Sequence, residues 1–373
     1  MVRCGYILNR RSDWIWFLGL PFLAIAVALA CHRWLPVMAL ASVGLWITMP
    51  HHLATWLRTY GLREDWERWK GPLVVGPAVV LGTTLLGMRV APQTLLGLTL
   101  LWDHQHSLMQ QHGLARIYDF KARTGGPTTG RFDLLLNWFL YVNMLITAPL
   151  FVRLWGPWLF ESSLPLKAEW FVWAQSLSWA ATAAFLVAYA VHAIRCARAG
   201  HALNPVKYQF IGSSYFLWYF TSWHTDSLLV FGIAHRLMHG VQYIVIVNSY
   251  LGRKLENAER PAFAGENSAR APAVTLASIG QLFKSHRVLT FIGLGLIYVL
   301  LYQLLVLRPF DEFGFGVVNF MGVGPAPHPM PDVTRARGYD LFAATMIQAL
   351  PVTHYYFDSF IWKVSDARVQ QGL

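Results

Sequence analysis

Histidine is the residue type whose number and spacing offer chemistry in this chain of 373 residues. His235 and His239 are four positions apart, so a helix would place both imidazoles on one face, where they can chelate one metal ion. His354 and Asp358 share this spacing, and the carboxylate can either ligate the metal or orient the imidazole. The full set of predicted metal ligands is His51, His52, His104, His106, His112, His235, His239, His354 and Asp358.

Two carboxylates are candidates for catalytic roles beside these histidines. Asp358 lies one helical turn after His354. Asp103 forms a polar stripe with His106 and Gln110 on one side of a predicted helix. We therefore predict that Asp103 and Asp358 are catalytic residues.

Long apolar helices must position these side chains. The chain is 55% hydrophobic and only 13% charged, which is far from the balance of a soluble globular protein. Apolar runs of roughly 17 to 25 residues recur, long enough to cross a bilayer, and they are too continuous for barrel strands. We predict an all-α fold, a polytopic transmembrane helical bundle of about ten spans. The predicted spans are 14–34, 36–56, 72–90, 91–114, 132–152, 168–194, 207–222, 226–250, 287–307 and 338–361.

The positions of Lys and Arg give the orientation of the spans. The net charge is +11, but the cations are scattered over loops and follow the positive-inside pattern, so we expect no nucleic-acid partner. This pattern places both termini in the cytoplasm. We expect one integral membrane domain over residues 1–373, with a cytoplasmic loop at 251–286 and an outer loop at 308–337. The expected location is the bacterial inner (plasma) membrane.

The histidine-bearing spans all run in the same direction in this topology. Spans 36–56, 91–114, 226–250 and 338–361 cross from outside to inside, and their histidines lie in the middle or later part of each. The imidazoles should therefore converge at one depth, in the cytoplasmic half of the membrane. Polar groups in hydrocarbon are costly unless they share partners. Convergence favours a metal site, with a metal-free hydrogen-bonded network or proton relay as the alternative.

The donor types restrict the metal. Imidazole with a few carboxylates suits iron, copper or zinc, whereas calcium and magnesium need more oxygen ligands. The three cysteines, Cys4, Cys31 and Cys196, lie outside the histidine clusters, which argues against an iron–sulfur cluster. The candidate ligands outnumber the roughly four to six that one ion takes. We predict two iron ions, with copper, zinc or haem as alternatives.

Four short motifs carry a resemblance to a known class of enzymes. They are Pro50-His51-His52, Asp103-His104-Gln105-His106, His235-Arg236-Leu237-Met238-His239 and His354-Tyr355-Tyr356-Phe357-Asp358. This pattern resembles the scattered ligands of membrane-bound, His-rich non-haem iron oxygenases, which include fatty acid desaturases and hydroxylases and the bacterial carotene-cleaving dioxygenases. The resemblance implies dioxygen chemistry on a lipid-like substrate.

The sequence thus predicts an oxygen-dependent metalloenzyme that oxidises a hydrophobic small molecule drawn from the lipid bilayer. Because the chain has no GxGxxG fingerprint for a flavin or nicotinamide, electrons would come from an external donor. Two other functions use the same residues. A metal or proton transporter would use them as a relay, and a bis-His haem protein would use them for electron transfer.

Overall fold

The structure is a computed structural model that describes residues 2–161, 167–259, 277–307 and 338–373. Within these ranges the regular elements are helices, and no β-strand occurs, which confirms the predicted all-α fold. The helices are α1 (Arg10–Trp34), α2 (Val37–Tyr60), α3 (Arg63–Val90), α4 (Pro92–Ala122), α5 (Pro127–Thr147), α6 (Pro149–Glu161), α7 (Ala168–Arg198), α8 (Pro205–His224), α9 (Leu228–Glu259), α10 (Ala277–Tyr302), α11 (Gly338–Ile361) and α12 (Ala367–Gln370).

Several helices are long and apolar enough to cross a membrane. Among the described residues these are Arg10–Trp34, Arg63–Val90, Ala168–Arg198, Leu228–Lys254 and Val288–Val306. The pair Pro127–Thr147 and Pro149–Trp155, bent by 66°, adds a sixth if it counts as one span. The other predicted spans are also helical and correspond to α2, α4, α8 and α11. These four helices are not among the candidates above, and they carry most of the buried histidines and the buried Lys207. The count of ten spans and the cytoplasmic termini stay predictions.

Most of the predicted loop sequence lies outside the described residues. This holds for the whole outer loop at 308–337 and for residues 260–276 of the cytoplasmic loop at 251–286. The two ends of the cytoplasmic loop are helical instead, since α9 continues to Glu259 and α10 begins at Ala277.

The chain divides into two compact units, each built from two segments. The first unit contains Met1–Leu35 and Ser107–Met238, and the second contains Pro36–His106 and His239–Leu373. Helices α4 and α9 contribute to both units, because the boundaries fall inside them. The single domain over residues 1–373 stays a prediction.

A buried ion cluster connects four helices of the first unit, α4, α5, α7 and α8. Lys207 of α8 is 1% exposed, and its Nζ lies 3.1 Å from the Oδ2 atoms of both Asp119 of α4 and Asp133 of α5. Arg116 donates to Asp119 Oδ2 at 2.7 Å, and the Tyr189 hydroxyl of α7 donates to Asp133 Oδ1 at 2.6 Å. Because every buried charge in this cluster has an opposite partner, the pairing offsets the cost of desolvation.

In the second unit, α11 packs against α2 and α3, and α10 packs against α2. An apolar cluster in this unit contains Met49, Val299, Tyr302 and Val306. Prolines interrupt the two helices α2 and α11 just before a histidine, with Pro50 preceding His51 and Pro351 lying three residues before His354. Each proline removes one backbone bond to the carbonyl four residues earlier, so these histidines sit where the helical ladder is broken.

Arg58 of α2 connects its helix to α3 and α9 within the second unit. Its guanidinium is 1% exposed and forms an ion pair with Asp65 at the start of α3. It also donates to the Tyr250 hydroxyl of α9 at an Nη2–O distance of 3.2 Å. The ion pair fixes the turn between α2 and α3, because both charges are removed from water and depend on each other.

Arg58→Ala should therefore lower the stability of the protein strongly. The substitution leaves the buried Asp65 carboxylate without its cation, at a cost of about 3–5 kcal/mol. Arg63→Ala is the matched control, because the Arg63–Glu67 pair is 62% and 60% exposed, and exposed pairs contribute about 0–1 kcal/mol. Thermal unfolding in detergent measures both variants, and equal Tm values would contradict this role of Arg58.

Candidate metal centre

Four buried histidines of the second unit meet at one point. They are His51 of α2, His106 of α4, His239 of α9 and His354 of α11, and each offers a ring nitrogen within 4.8 Å of the other three. Their exposed fractions are 4%, 5%, 2% and 0%. We call this set the four-histidine group. One imidazole comes from each of four helices, so the group depends on the fold and not on a local sequence motif.

The four rings are packed edge to face around a common centre. Ring centroids are 4.5 Å apart for His51 and His354 and 4.6 Å apart for His106 and His354. His239 completes the circuit, with its centroid 4.9 Å from that of His51 and 5.1 Å from that of His106. All four interplanar angles lie between 72° and 83°. The centre of the group is therefore too small for an organic ligand and has the size of a single ion.

The nitrogen atoms of His51 show how its ring is oriented. Its Nδ1 lies 2.8 Å from the Thr48 carbonyl oxygen, which can only accept, so Nδ1 carries the proton. Its Nε2 therefore carries the lone pair, which is directed at the Nε2 of His354 at 2.8 Å. Two nitrogens bound side by side to one ion at about 2.0–2.1 Å would be roughly 3 Å apart. The spacing fits two ligands of one metal.

His106 offers a second observation that fits a metal. Its Nε2 atom is buried and makes no hydrogen bond to any described residue. A polar atom in this position costs free energy unless a partner compensates it. Oδ2 of Asp358 lies 3.8 Å away, which is beyond hydrogen-bond distance. A cation between these atoms would satisfy both.

The two predicted catalytic carboxylates relate to the group differently. Asp358 borders it directly, since its Oδ2 is 3.8 Å from His106 Nε2 and 4.0 Å from His354 Nε2. Asp103 contacts Tyr355, which lies against the group. The Tyr355 hydroxyl donates to Asp103 Oδ1 at 2.8 Å, and the Tyr355 ring stacks on His106 at 4.6 Å. Asp358 is thus placed to ligate a metal, and Asp103 to fix Tyr355 against a ligand.

Two further predicted ligands lie beside the four-histidine group in the same unit. His52 is 1% exposed, and its ring centroid is 4.7 Å from that of His51 and 5.0 Å from that of His354. His104 is 6% exposed, and its Nδ1 lies 2.9 Å from the Leu100 carbonyl oxygen. Neither belongs to the set of ring nitrogens that meet within 4.8 Å.

The remaining two predicted ligands lie in the first unit. Both ring nitrogens of His235 are engaged there, since Nδ1 accepts from Trp218 Nε1 at 2.8 Å and Nε2 lies 2.9 Å from Ser107 Oγ. His112 is half-buried in the same unit. Of the predicted chelating pair on α9, the structure brings only His239 into the four-histidine group.

Sequence reasoning did not single out Thr55, Tyr243 and Tyr355. Thr55 Oγ1 lies 2.5 Å from His354 Nδ1, and the Tyr243 hydroxyl donates to Asp358 Oδ1 at 2.6 Å. A signal for two of them was present, because Thr55 follows His51 by four residues and Tyr243 follows His239 by four residues. The same spacing of four residues predicts the relation between His354 and Asp358.

Comparison with known proteins finds no matching family model, no similar curated protein and no similar solved structure. The resemblance to membrane-bound non-haem iron oxygenases therefore rests on the four motifs and stays a prediction. What the structure itself shows is a buried group of four histidines that could hold a metal ion.

The two histidines of the α9 pair allow a matched test of the group. His239→Ala should lower the affinity for a transition metal at least tenfold, because it removes one of four converging imidazoles. His235→Ala on the same helix should leave the affinity unchanged, because its nitrogens bond to Trp218 and Ser107. Metal titration of both purified variants measures this. A loss that is equal in both, or larger in His235→Ala, would contradict the assignment.

Proposed function

We propose that this protein is an integral membrane metalloenzyme that uses iron to activate dioxygen and oxidise a hydrophobic, lipid-like molecule. One observation supports it most strongly. Four buried imidazoles from four helices, with a carboxylate beside them, converge within 4.8 Å, and five of the described helices are long and apolar enough to span a membrane. Such a site is costly to build without a metal to satisfy it.

The donor set favours a redox metal. Among the described residues the group contains imidazole and carboxylate but no thiolate, which suits iron, copper or zinc. Of these, iron and copper exchange electrons with dioxygen, and iron is the choice that the sequence motifs favour. Four imidazoles and Asp358 supply the ligands for one ion. A second ion, as expected from the number of histidines, would have to draw on His52 and His104.

The surrounding residues define what the protein contributes. Bound iron would supply the electron transfer to dioxygen. The four histidines and Asp358 would hold it, and Tyr355 would keep the His106 ring in place by stacking on it. The burial of the group excludes bulk water from the reacting centre. A lipid-soluble substrate would come from the bilayer, and an external donor would supply electrons.

A proton relay is the second candidate, because the same residues form a continuous hydrogen-bonded chain. It runs from His51 Nε2 to His354 Nε2 at 2.8 Å and from His354 Nδ1 to Thr55 Oγ1 at 2.5 Å. It continues through the Tyr243 hydroxyl, 2.8 Å from Thr55, to Asp358. If Asp358 is protonated, every proton in this chain has an acceptor without a metal. A transporter for protons would use such a chain.

A bis-His haem is not favoured by this geometry. Haem ligation needs two imidazoles on opposite faces of a porphyrin. Here the neighbouring rings of the four-histidine group have centroids only 4.5–5.1 Å apart, and a macrocycle has no space between them.

Metal analysis of the detergent-purified protein, combined with its optical spectrum, separates these functions. We expect about one equivalent of iron, or two if His52 and His104 hold a second ion, and no Soret band. The iron-loaded protein with a reductant should consume dioxygen faster when lipid extract is added, and His106→Ala should abolish this increase. A protein that binds no metal under any loading condition would contradict the proposal and favour the relay.

A further inference from the structure

The four-histidine group is followed by a second layer of polar residues, one helical turn further along three of its helices. Thr55 follows His51 on α2, Tyr243 follows His239 on α9, and Asp358 follows His354 on α11, each by four residues. These three side chains hydrogen-bond to one another across the helices. The exposed fractions of Thr55 and Tyr243 are 0% and 1%. The layer is therefore a buried unit of its own and not a set of separate helix contacts.

The Tyr243 hydroxyl is the centre of this layer. Its oxygen lies 2.6 Å from Asp358 Oδ1, 2.8 Å from Thr55 Oγ1 and 3.2 Å from Trp362 Nε1. A hydroxyl has one proton to donate. Asp358 as a metal ligand would be ionised and could only accept, so the Tyr243 proton would go to Asp358 and the Tyr243 oxygen would accept from Thr55 and Trp362. The hydroxyl then has all of its bonding capacity in use.

The direction of these bonds fixes His354. Since the Thr55 hydroxyl donates its only proton to Tyr243, it must accept from His354 Nδ1 at 2.5 Å. The proton of His354 is then on Nδ1, and Nε2 keeps its lone pair. His51 has the same arrangement, because the Thr48 carbonyl holds its Nδ1 proton. Both Nε2 atoms then carry lone pairs at an N–N distance of 2.8 Å, and a cation bound by both would compensate them.

We infer that Thr55 and Tyr243 are positioning residues for the metal centre: together they set the proton of His354 on Nδ1 and hold Asp358 with one oxygen toward the group. The inference rests on the proposed metal function. The orientation of Asp358 follows from its two oxygens. Oδ1 accepts from the Tyr243 hydroxyl, and Oδ2 lies 3.8 Å from His106 Nε2 and 4.0 Å from His354 Nε2. Hydrogen-bond partners of this kind orient metal ligands and raise their basicity.

The chain offers a matched set of variants. Thr55→Val keeps the shape of the side chain but removes the hydroxyl, and Thr55→Ser keeps the hydroxyl. Thr59→Val is the control, because Thr59 is equally buried on α2 and its hydroxyl donates only to backbone carbonyls, those of Thr55 at 2.6 Å and Trp56 at 3.3 Å. Tyr243→Phe removes the central hydroxyl. Gel filtration and circular dichroism establish that each variant is folded.

The test is the Kd for Fe²⁺, and separately for Co²⁺, measured by competition with a chromophoric chelator. Thr55→Val and Tyr243→Phe should each weaken binding about 10- to 100-fold. Thr55→Ser and Thr59→Val should stay within about threefold of the unmodified protein. The two losses should not add in the double variant, because both residues belong to one hydrogen-bonded chain. The visible absorption of bound Co²⁺ should shift in Thr55→Val but not in Thr59→Val, since only the former changes the ligand field.

The outcomes separate the inference from the proposed function. An unmodified protein that binds neither ion contradicts the metal function itself. Tight binding by the unmodified protein, together with equal Kd values and equal Co²⁺ spectra for Thr55→Val and Thr59→Val, overturns the positioning role and leaves the metal site standing.

Discussion

A ring nitrogen that is buried away from water needs a hydrogen-bond partner or a metal inside the protein. In the second unit, ring nitrogens of four buried histidines lie within 4.8 Å of one another. The Nε2 atoms of His51 and His354 are 2.8 Å apart, and the Nε2 atom of His106 lies 3.8 Å from Asp358 Oδ2. A metal ion at the centre would satisfy all of these atoms at once, whereas separate hydrogen bonds would leave His106 Nε2 unsatisfied. A metal at this point would therefore join α2, α4, α9 and α11.

The helical repeat places the polar residues of this site in two layers, one of histidines and one of hydroxyl and carboxylate groups. A spacing of four residues places one side chain almost directly above another on a helix. His51, His239 and His354 therefore form one layer, and the residues four positions later form a layer of hydroxyl and carboxylate groups. Nitrogen atoms in the first layer face the centre, while oxygen atoms in the second layer hold protons and orientations. The same backbone geometry thus positions the candidate metal ligands and the groups that orient them.

The sequence was informative about element type and poorly informative about which polar residues meet. Apolar runs predict helices because the bilayer permits few alternatives. The i,i+4 spacing correctly pointed to a relation between His354 and Asp358, which lie 4.0 Å apart. It could not distinguish His235 from His239, since that depends on the neighbours each meets: Trp218 and Ser107 for one, three other histidines for the other. Thr55 was not singled out because a Thr hydroxyl on a helix often bonds to its own backbone, and Tyr243 was not because Tyr in an apolar span is typical of the membrane interface.

Two features of the fold support a metal function independently of the histidine content of the sequence. The four histidines come from four different helices, and three of them, His51, His106 and His354, contact different partners: the Thr48 carbonyl, the Tyr355 ring and the Thr55 hydroxyl. X-ray absorption spectroscopy of the purified, metal-loaded protein tests this account most directly, because it reports the donor atoms around the ion. We predict a shell of nitrogen and oxygen donors dominated by about four imidazoles. A shell with sulfur ligands, with one imidazole or none, or the absence of any bound metal would contradict the account.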